Sequence, residues 1–180
     1  MTNECVLHLR CIPNWNAVEE LRQYLGCYMR RRFAEATAEQ LMIAAWELLE
    51  NAVTHGSVVQ DIEFELYDWG ASGGFEIRVT NAAIAARVES FLQHAEQLKG
   101  ADPEQAYAEA MNPPPATPGA PTQQMLGLVR IAYEASMEID VQSKGQFVTV
   151  SARATAPPCD RSSNLGHSAV FRRARHVANS

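Results

Sequence analysis

Residues 40–56 read QLMIAAWELLENAVTHG and form the most apolar helical segment of the chain. Its apolar side chains recur every three or four residues, as on one face of an amphipathic helix, at Leu41, Ala45, Leu48 and Ala52. A polar stripe with four-residue spacing lies beside this face, at Glu47, Asn51 and His55. The pattern predicts a helix that buries one face and holds three polar groups in register along the edge of that face.

The two ends of this helix carry their own signals. Thr37 and Gln40 have the chemistry of a capping box, with a hydroxyl at the N-cap and an amide three residues later. Gly56 follows the last apolar turn, and glycine tolerates the left-handed conformation that often ends a helix. We therefore expect the helix to start at Thr37 and to stop at Gly56.

Strand and helix patterns flank this segment on both sides. Strands are predicted at 5–12, 62–67, 75–79, 137–142 and 146–153, and helices at 15–33, 83–99, 103–111 and 123–135. Residues 112–122 (NPPPATPGAPT) contain five prolines, which predicts an exposed loop. The order β-α-α-β-β-α-α-loop-α-β-β predicts an α+β fold, a two-layer sandwich of a mainly antiparallel sheet covered on one face by helices.

Length and charge limit the class of protein. The 180 residues are 47% apolar with a net charge of −6, which is enough chain for one core. Residues 1–154 have a net charge of −9 and residues 155–180 a net charge of +3. We expect the first range to be the folded domain and the second a disordered basic tail. The acidic body makes nucleic-acid binding unlikely and is compatible with binding a basic protein surface.

The spacing of the cysteines and the length of the apolar runs argue against a zinc protein and a membrane protein. The four cysteines contain no CxxC pair and no neighbouring histidine cluster, so reduced structural thiols are expected rather than a zinc site. No secretory signal and no run of 18 apolar residues occurs, which predicts a soluble cytoplasmic protein with no membrane span.

The polar stripe allows two interpretations. A carboxylate such as Glu47 can accept a proton, and the amide oxygen of Asn51 is a hard ligand suited to Mg²⁺ that carries phosphates. The alternative is that the stripe only marks the edge of the buried face, with His55 stabilising the helix end through its dipole. Spacing alone does not choose between them.

The segment Ala45–Gly56 resembles the N-box of the GHKL nucleotide-binding family. In particular, the pattern E-x-x-x-N-A-x-x-H-G is similar to that of the bacterial anti-sigma-factor serine/threonine kinases. The resemblance implies a Bergerat-like sandwich with ATP and Mg²⁺ as cofactors. It also implies Glu47 as the general base, Asn51 as the magnesium ligand and His55 beside the nucleotide. Glu50, the other carboxylate nearby, is off the family's register.

The family's two glycine motifs are degenerate here. The aspartate of the D-x-G-x-G motif is replaced by Asn81, as in the SiaB-like branch of these kinases, and both glycines are absent. The later G-x-G-L-G-L motif reads QQMLGL and keeps one glycine, so that Gly127 and Leu128 correspond to the phosphate-binding backbone. The resemblance also places the 112–122 loop at the family's ATP lid, where we expect mobility without ligand.

Two functions follow from the resemblance. The chain is either an Mg-ATP-dependent kinase acting on a Ser or Thr of a small partner, or a binding module of the same fold that sequesters its partner without productive ATP binding. The implied partner is an anti-anti-sigma (STAS-like) or sigma-factor-type protein. Only the resemblance suggests a homodimer. The tail arginines at 172, 173 and 175 are too few for a nucleic-acid footprint.

Overall fold

The computed structural model describes residues 4–70, 73–83, 85–112 and 123–155. The predicted loop at 112–122, apart from Asn112, and the predicted tail beyond Thr155 lie outside these ranges. The strands are β1 (Glu4–Cys11), β2 (Ile62–Asp68), β3 (Gly74–Ala82), β4 (Glu138–Lys144) and β5 (Phe147–Thr155). The helices are α1 (Trp15–Arg32), α2 (Glu35–His55), α3 (Ala85–Lys99), α4 (Pro103–Met111) and α5 (Gln123–Tyr133).

The five strands form one antiparallel sheet in the order β1-β2-β3-β5-β4. Its inner face is built by strict alternation: Phe64 is opposite Val79, which is in turn opposite Val150. All three side chains are buried, and they form a single core with the apolar face of α2. The predicted α+β two-layer sandwich is confirmed.

The predicted start of α2 is wrong. The helix begins at Glu35, two residues before the expected start. Ala34 is the N-cap residue, and no side chain caps the helix. The first intrahelical hydrogen bond runs from the amide of Ala38 to the carbonyl of Ala34. The earlier start places Ala38 in the core, and burial of apolar surface outweighs the local capping that Thr37 offered.

The predicted conformation of Gly56 is also wrong, although the helix ends there. Its backbone is extended, at φ −77° and ψ 173°, rather than left-handed. Glycine is required for space, since a Cβ would lie 2.2 Å from the carbonyl oxygen of Ala52 and 2.8 Å from Nδ2 of Asn81. The chain therefore leaves α2 in close contact with the end of β3.

The outer face of the sheet holds a buried carboxylate, that of Glu76, which the alternating sequence pattern predicts to be exposed to solvent. Glu76 is only 1% exposed. It accepts hydrogen bonds from Nε and Nη2 of Arg78 at 2.7 and 3.1 Å, and Nε of Arg153 lies 3.1 Å from its Oε1. Burial by itself raises the pKa of Glu76, but the hydrogen bonds and charges of the two arginines outweigh it and hold the pKa below the ordinary value of 4.5.

We expect Glu76→Gln to lower the free energy of unfolding at neutral pH by about 1–3 kcal/mol. The cost is limited because Arg78 and Arg153 are about one-third exposed and regain water. A lowered carboxyl pKa contributes stability above pH 4.5 that is lost as the pH falls through the folded-state value, so the difference between the variant and the wild type narrows in acid. Urea unfolding of the variant and the wild type, from neutral pH to below pH 4.5, measures this difference in the free energy of unfolding. Glu39→Gln, at an exposed position of α2, is the control and should have little effect at any pH.

Candidate functional site

The end of α2 and the end of β3 are joined, and the candidate site lies at this junction. The amide of Ser57 donates to the carbonyl of Ala82 at 2.6 Å, and Gly56 forms an antiparallel bridge with Ala83. The junction brings Asn51 and His55 together with Val79 and Asn81 of β3.

A narrow cleft opens at this junction. Its lining residues come from α2, β3, α3 and β5, and are Leu48, Asn51, Ala52, His55, Val79, Asn81, Ala83, Val88, Phe91, Val148 and Val150. The free volume is about 40 Å³, which is room for about one water molecule rather than for a nucleotide base. Three predicted site residues therefore share one mainly apolar cleft that is closed to a large ligand in this conformation.

The amide groups of the cleft differ in their hydrogen bonding. Nδ2 of Asn81 donates to the carbonyl of Ala82 at 3.3 Å. Nδ2 of Asn51 is buried, and within the described ranges it has no hydrogen-bond partner. An unpaired buried amide is costly. This Nδ2 lies toward α5, 3.1 Å from the position that a Cβ of Gly127 would take.

Glu47 lies on α2 with Asn51 but lines a different concavity. Its carboxylate, 8% exposed, faces a groove of about 180 Å³ between α1, α2 and α5. There, Nη1 of Arg130 donates a hydrogen bond to Oε1 of Glu47. The three residues of the polar stripe are thus divided, with the proton acceptor on the groove side and the two other polar groups on the cleft side.

Arg130 belongs to a network that the sequence patterns did not predict. Its Nε and Nη2 donate to the two carboxylate oxygens of Glu134 at 3.1 and 3.2 Å. The hydroxyl of Tyr107 on α4 donates to the same carboxylate at 2.9 Å. The four-residue spacing of Arg130 and Glu134 could have indicated their pairing. Nothing in the local pattern indicates the contact with Glu47, which is 83 residues away.

The surroundings of Glu47 make it a weaker acid than an ordinary glutamate. Burial raises the pKa of Glu47, Arg130 lowers it in part, and the charges of Glu50 and Glu134 raise it further, so the net direction is upward. A carboxylate whose pKa is moved toward neutrality is a better proton acceptor at physiological pH.

The structure places Gly127 and Leu128, which the resemblance assigns to the phosphate-binding backbone, inside α5. Both lie in the second turn of α5, and only the first four amides of a helix lack an intrahelical acceptor. The side chain of Leu128 is 1% exposed and belongs to the core. Gly127 instead permits close helix packing, because a Cβ there would lie 2.8 Å from Oε2 of Glu47 and 3.1 Å from Nδ2 of Asn51.

Two other features are absent from the described part of the chain. Among the described residues, no group of three or more His, Cys, Asp or Glu side chains could hold a metal ion. Over the same ranges, no helix is long and apolar enough to cross a membrane.

We expect Gly127→Ala and Gly26→Ala to change the free energy of unfolding in opposite directions, although both glycines lie inside helices. At Gly26 the nearest atom to an added Cβ is Cε of Met42 at 3.6 Å, an ordinary contact, so alanine should raise the unfolding free energy by roughly 0.5–1 kcal/mol. At Gly127 the added Cβ displaces Glu47 or Asn51, which are held by their surroundings, so the gain should be absent or reversed. Guanidinium unfolding of the two variants measures this, and equal gains at both positions would contradict the close packing.

Comparison with known proteins gives a fold relationship. No protein-family profile and no curated protein matches the chain. Among solved structures, this chain is similar to a chain in the crystal structure of the SiaB-SiaC complex from Pseudomonas aeruginosa. The TM-score is 0.59 with 15% sequence identity, over 83% of this chain and 89% of the other. A similarity at 15% identity shows that the two chains share a fold.

Proposed function

We propose that this chain is a partner-switching regulator of the anti-sigma-factor kinase type. It binds Mg-ATP in the cleft between α2, β3 and α3 and phosphorylates a Ser or Thr of a small anti-anti-sigma-type protein. The observation that carries the proposal is the cleft that brings Asn51 and His55 of α2 together with Asn81 of β3. The similar chain comes from a two-protein complex, which supports a protein partner.

The residues of the cleft fit the polar parts of a nucleotide. Asn51 would provide an amide oxygen to Mg²⁺, which is usually held by one or two protein oxygens together with phosphates and water. Its unpaired Nδ2 is a donor for an anionic oxygen. Asn81 and His55 would contact the base. Because the free volume is only about 40 Å³, binding requires the α3 side chains Val88 and Phe91 to move.

Glu47 is positioned to accept a proton from the partner's hydroxyl. Arg130 occupies Oε1 of Glu47, whereas Oε2 accepts no hydrogen bond from the described residues and is the oxygen nearest Gly127. Bound Mg-ATP would supply the phosphoryl group. The chain's own contribution is to hold this carboxylate oxygen in place through Arg130 and to keep its proton affinity high.

A second candidate is a binding module that sequesters its partner without chemistry. Two observations favour it: the ion pair between Glu47 and Arg130, which engages the proton acceptor, and the placement of the Gly127 and Leu128 amides inside α5. A site without phosphate-binding amides lacks the charge stabilisation on which phosphoryl transfer depends.

Calorimetric titration with Mg-ATP and Mg-ADP tests the nucleotide site. We expect submillimolar binding to the wild-type chain and at least a tenfold loss, about 1.4 kcal/mol, in Asn51→Ala. Asn16→Ala, at an exposed position of α1, removes the same amide elsewhere and should leave the affinity unchanged. If neither nucleotide releases heat or raises the melting temperature of the wild type, the kinase proposal fails and the binding module is favoured.

Transfer of radiolabel from ATP to a candidate anti-anti-sigma protein tests Glu47. We expect Glu47→Gln to reduce transfer by about 10²-fold or more, the usual contribution of a general base. Glu39→Gln, at an exposed position about two turns earlier on α2, is the matched control and should retain transfer. Because the pKa of Glu47 is raised, the rate should fall on acidification at a higher pH than for an ordinary glutamate base. Equal rates in the two variants would exclude Glu47 as the base.

A further inference from the structure

A third concavity lies at the edge of the sheet, apart from the cleft and from the groove that Glu47 lines. It is bounded by α3, α4 and β4 and has a volume of about 810 Å³. This is within the range of sites that hold sizeable ligands. Its floor is apolar and includes Leu98, Tyr133, Met137 and Ile139. We call this concavity the edge groove.

The rim of the edge groove is acidic. Four carboxylates line it, from Asp102, Glu104, Glu138 and Asp140, against the two cations of Lys99 and Arg153. Both cations are already engaged: Nζ of Lys99 lies 3.1 Å from Asp140, and Arg153 reaches Glu76 on the sheet. Glu104 and Glu138 are exposed; Glu138 stands opposite Arg153 in the β4–β5 register, and Arg153 is engaged by Glu76. The groove therefore has net negative charge around an apolar floor.

We propose that residues 170–177 of this same chain occupy the edge groove. They read VFRRARHV and interleave three arginines with apolar Val170, Phe171 and Val177. Such a segment matches the groove in both respects, with guanidinium groups for the acidic rim and apolar side chains for the floor. It also accounts for the separation of the chain into an acidic domain and a basic end, which the proposed function does not use.

The covalent connection makes this docking favourable. Arg153 lines the groove, and β5 ends two residues later at Thr155. The 14 residues at 156–169 can span up to about 50 Å when extended and have a typical end-to-end distance of about 20 Å. The segment can therefore reach the groove without strain. Its effective local concentration is of millimolar order, so a weak site is sufficient for occupancy.

Occupancy would place the segment beside the network that holds Glu47. Tyr133 lines the groove and stacks on Tyr107, with ring centroids 4.6 Å apart. Tyr107 in turn donates to Glu134, the partner of Arg130.

Hydrogen–deuterium exchange on the full chain tests the docking. In low salt we expect the amides of 170–177 to exchange at least roughly tenfold more slowly than in the isolated peptide. The protection should decrease as salt is raised, because the contacts are between exposed charges. Replacing Arg172, Arg173 and Arg175 by glutamate should abolish it, as should Glu104→Arg with Glu138→Arg. Combining the two sets reverses the charge on both sides of the contact and should restore protection.

A matched control separates docking in the edge groove from a general effect of charge. Glu19→Arg with Glu39→Arg makes the same charge change on α1 and α2 and should neither remove protection nor rescue the tail variant. Peptide-like exchange of 170–177 in the wild type, or no rescue in the combined variant, overturns the proposal. Protection that disappears on dilution also overturns it, since the occupant would then be the tail of a second copy. None of these outcomes depends on nucleotide binding.

Discussion

The close approach of α5 to α2 at Gly127 is the constraint on which the candidate site depends. A Cβ at this position would lie 2.8 Å from Oε2 of Glu47 and 3.1 Å from Nδ2 of Asn51, so these side chains would have to shift to admit it. The approach brings Arg130, one turn further along α5, to the carboxylate of Glu47. Loss of the glycine would therefore disturb the ion pair and the buried amide together, because both are held by the same helix contact.

This contact divides the polar stripe of α2 between two concavities. Asn51 and His55 line the cleft against β3, and Glu47 lines the groove shared with α1 and α5. Under the proposed function, this separation of Glu47 from Asn51 by one helical turn would let two reactants enter from different sides. The narrow cleft and the engaged carboxylate also suit a protein whose activity depends on a rearrangement.

The elements of the fold were largely predictable from local pattern. Alternation at Ile62, Phe64 and Leu66 indicated a half-buried strand, and the structure buries all three. Asp102 stands directly before Pro103 and is a residue type typical of an N-cap, and its side chain accepts a hydrogen bond from the amide of Gln105 at 2.9 Å. Prediction failed where two local preferences competed with packing, at Thr37 and Gly56, since neither capping nor glycine propensity reports what the next layer of the fold requires.

The sequence by itself determined the α+β class, the order of the elements and the register of Glu47, Asn51 and His55, because these follow from periodicities of two and 3.6 residues. Only the tertiary structure decided that Arg130 engages Glu47, that Gly127 packs against Glu47 and Asn51, and that Glu76 is buried between two arginines. Each of these depends on the desolvation of a charged or polar group by residues distant in the chain, which no local pattern records.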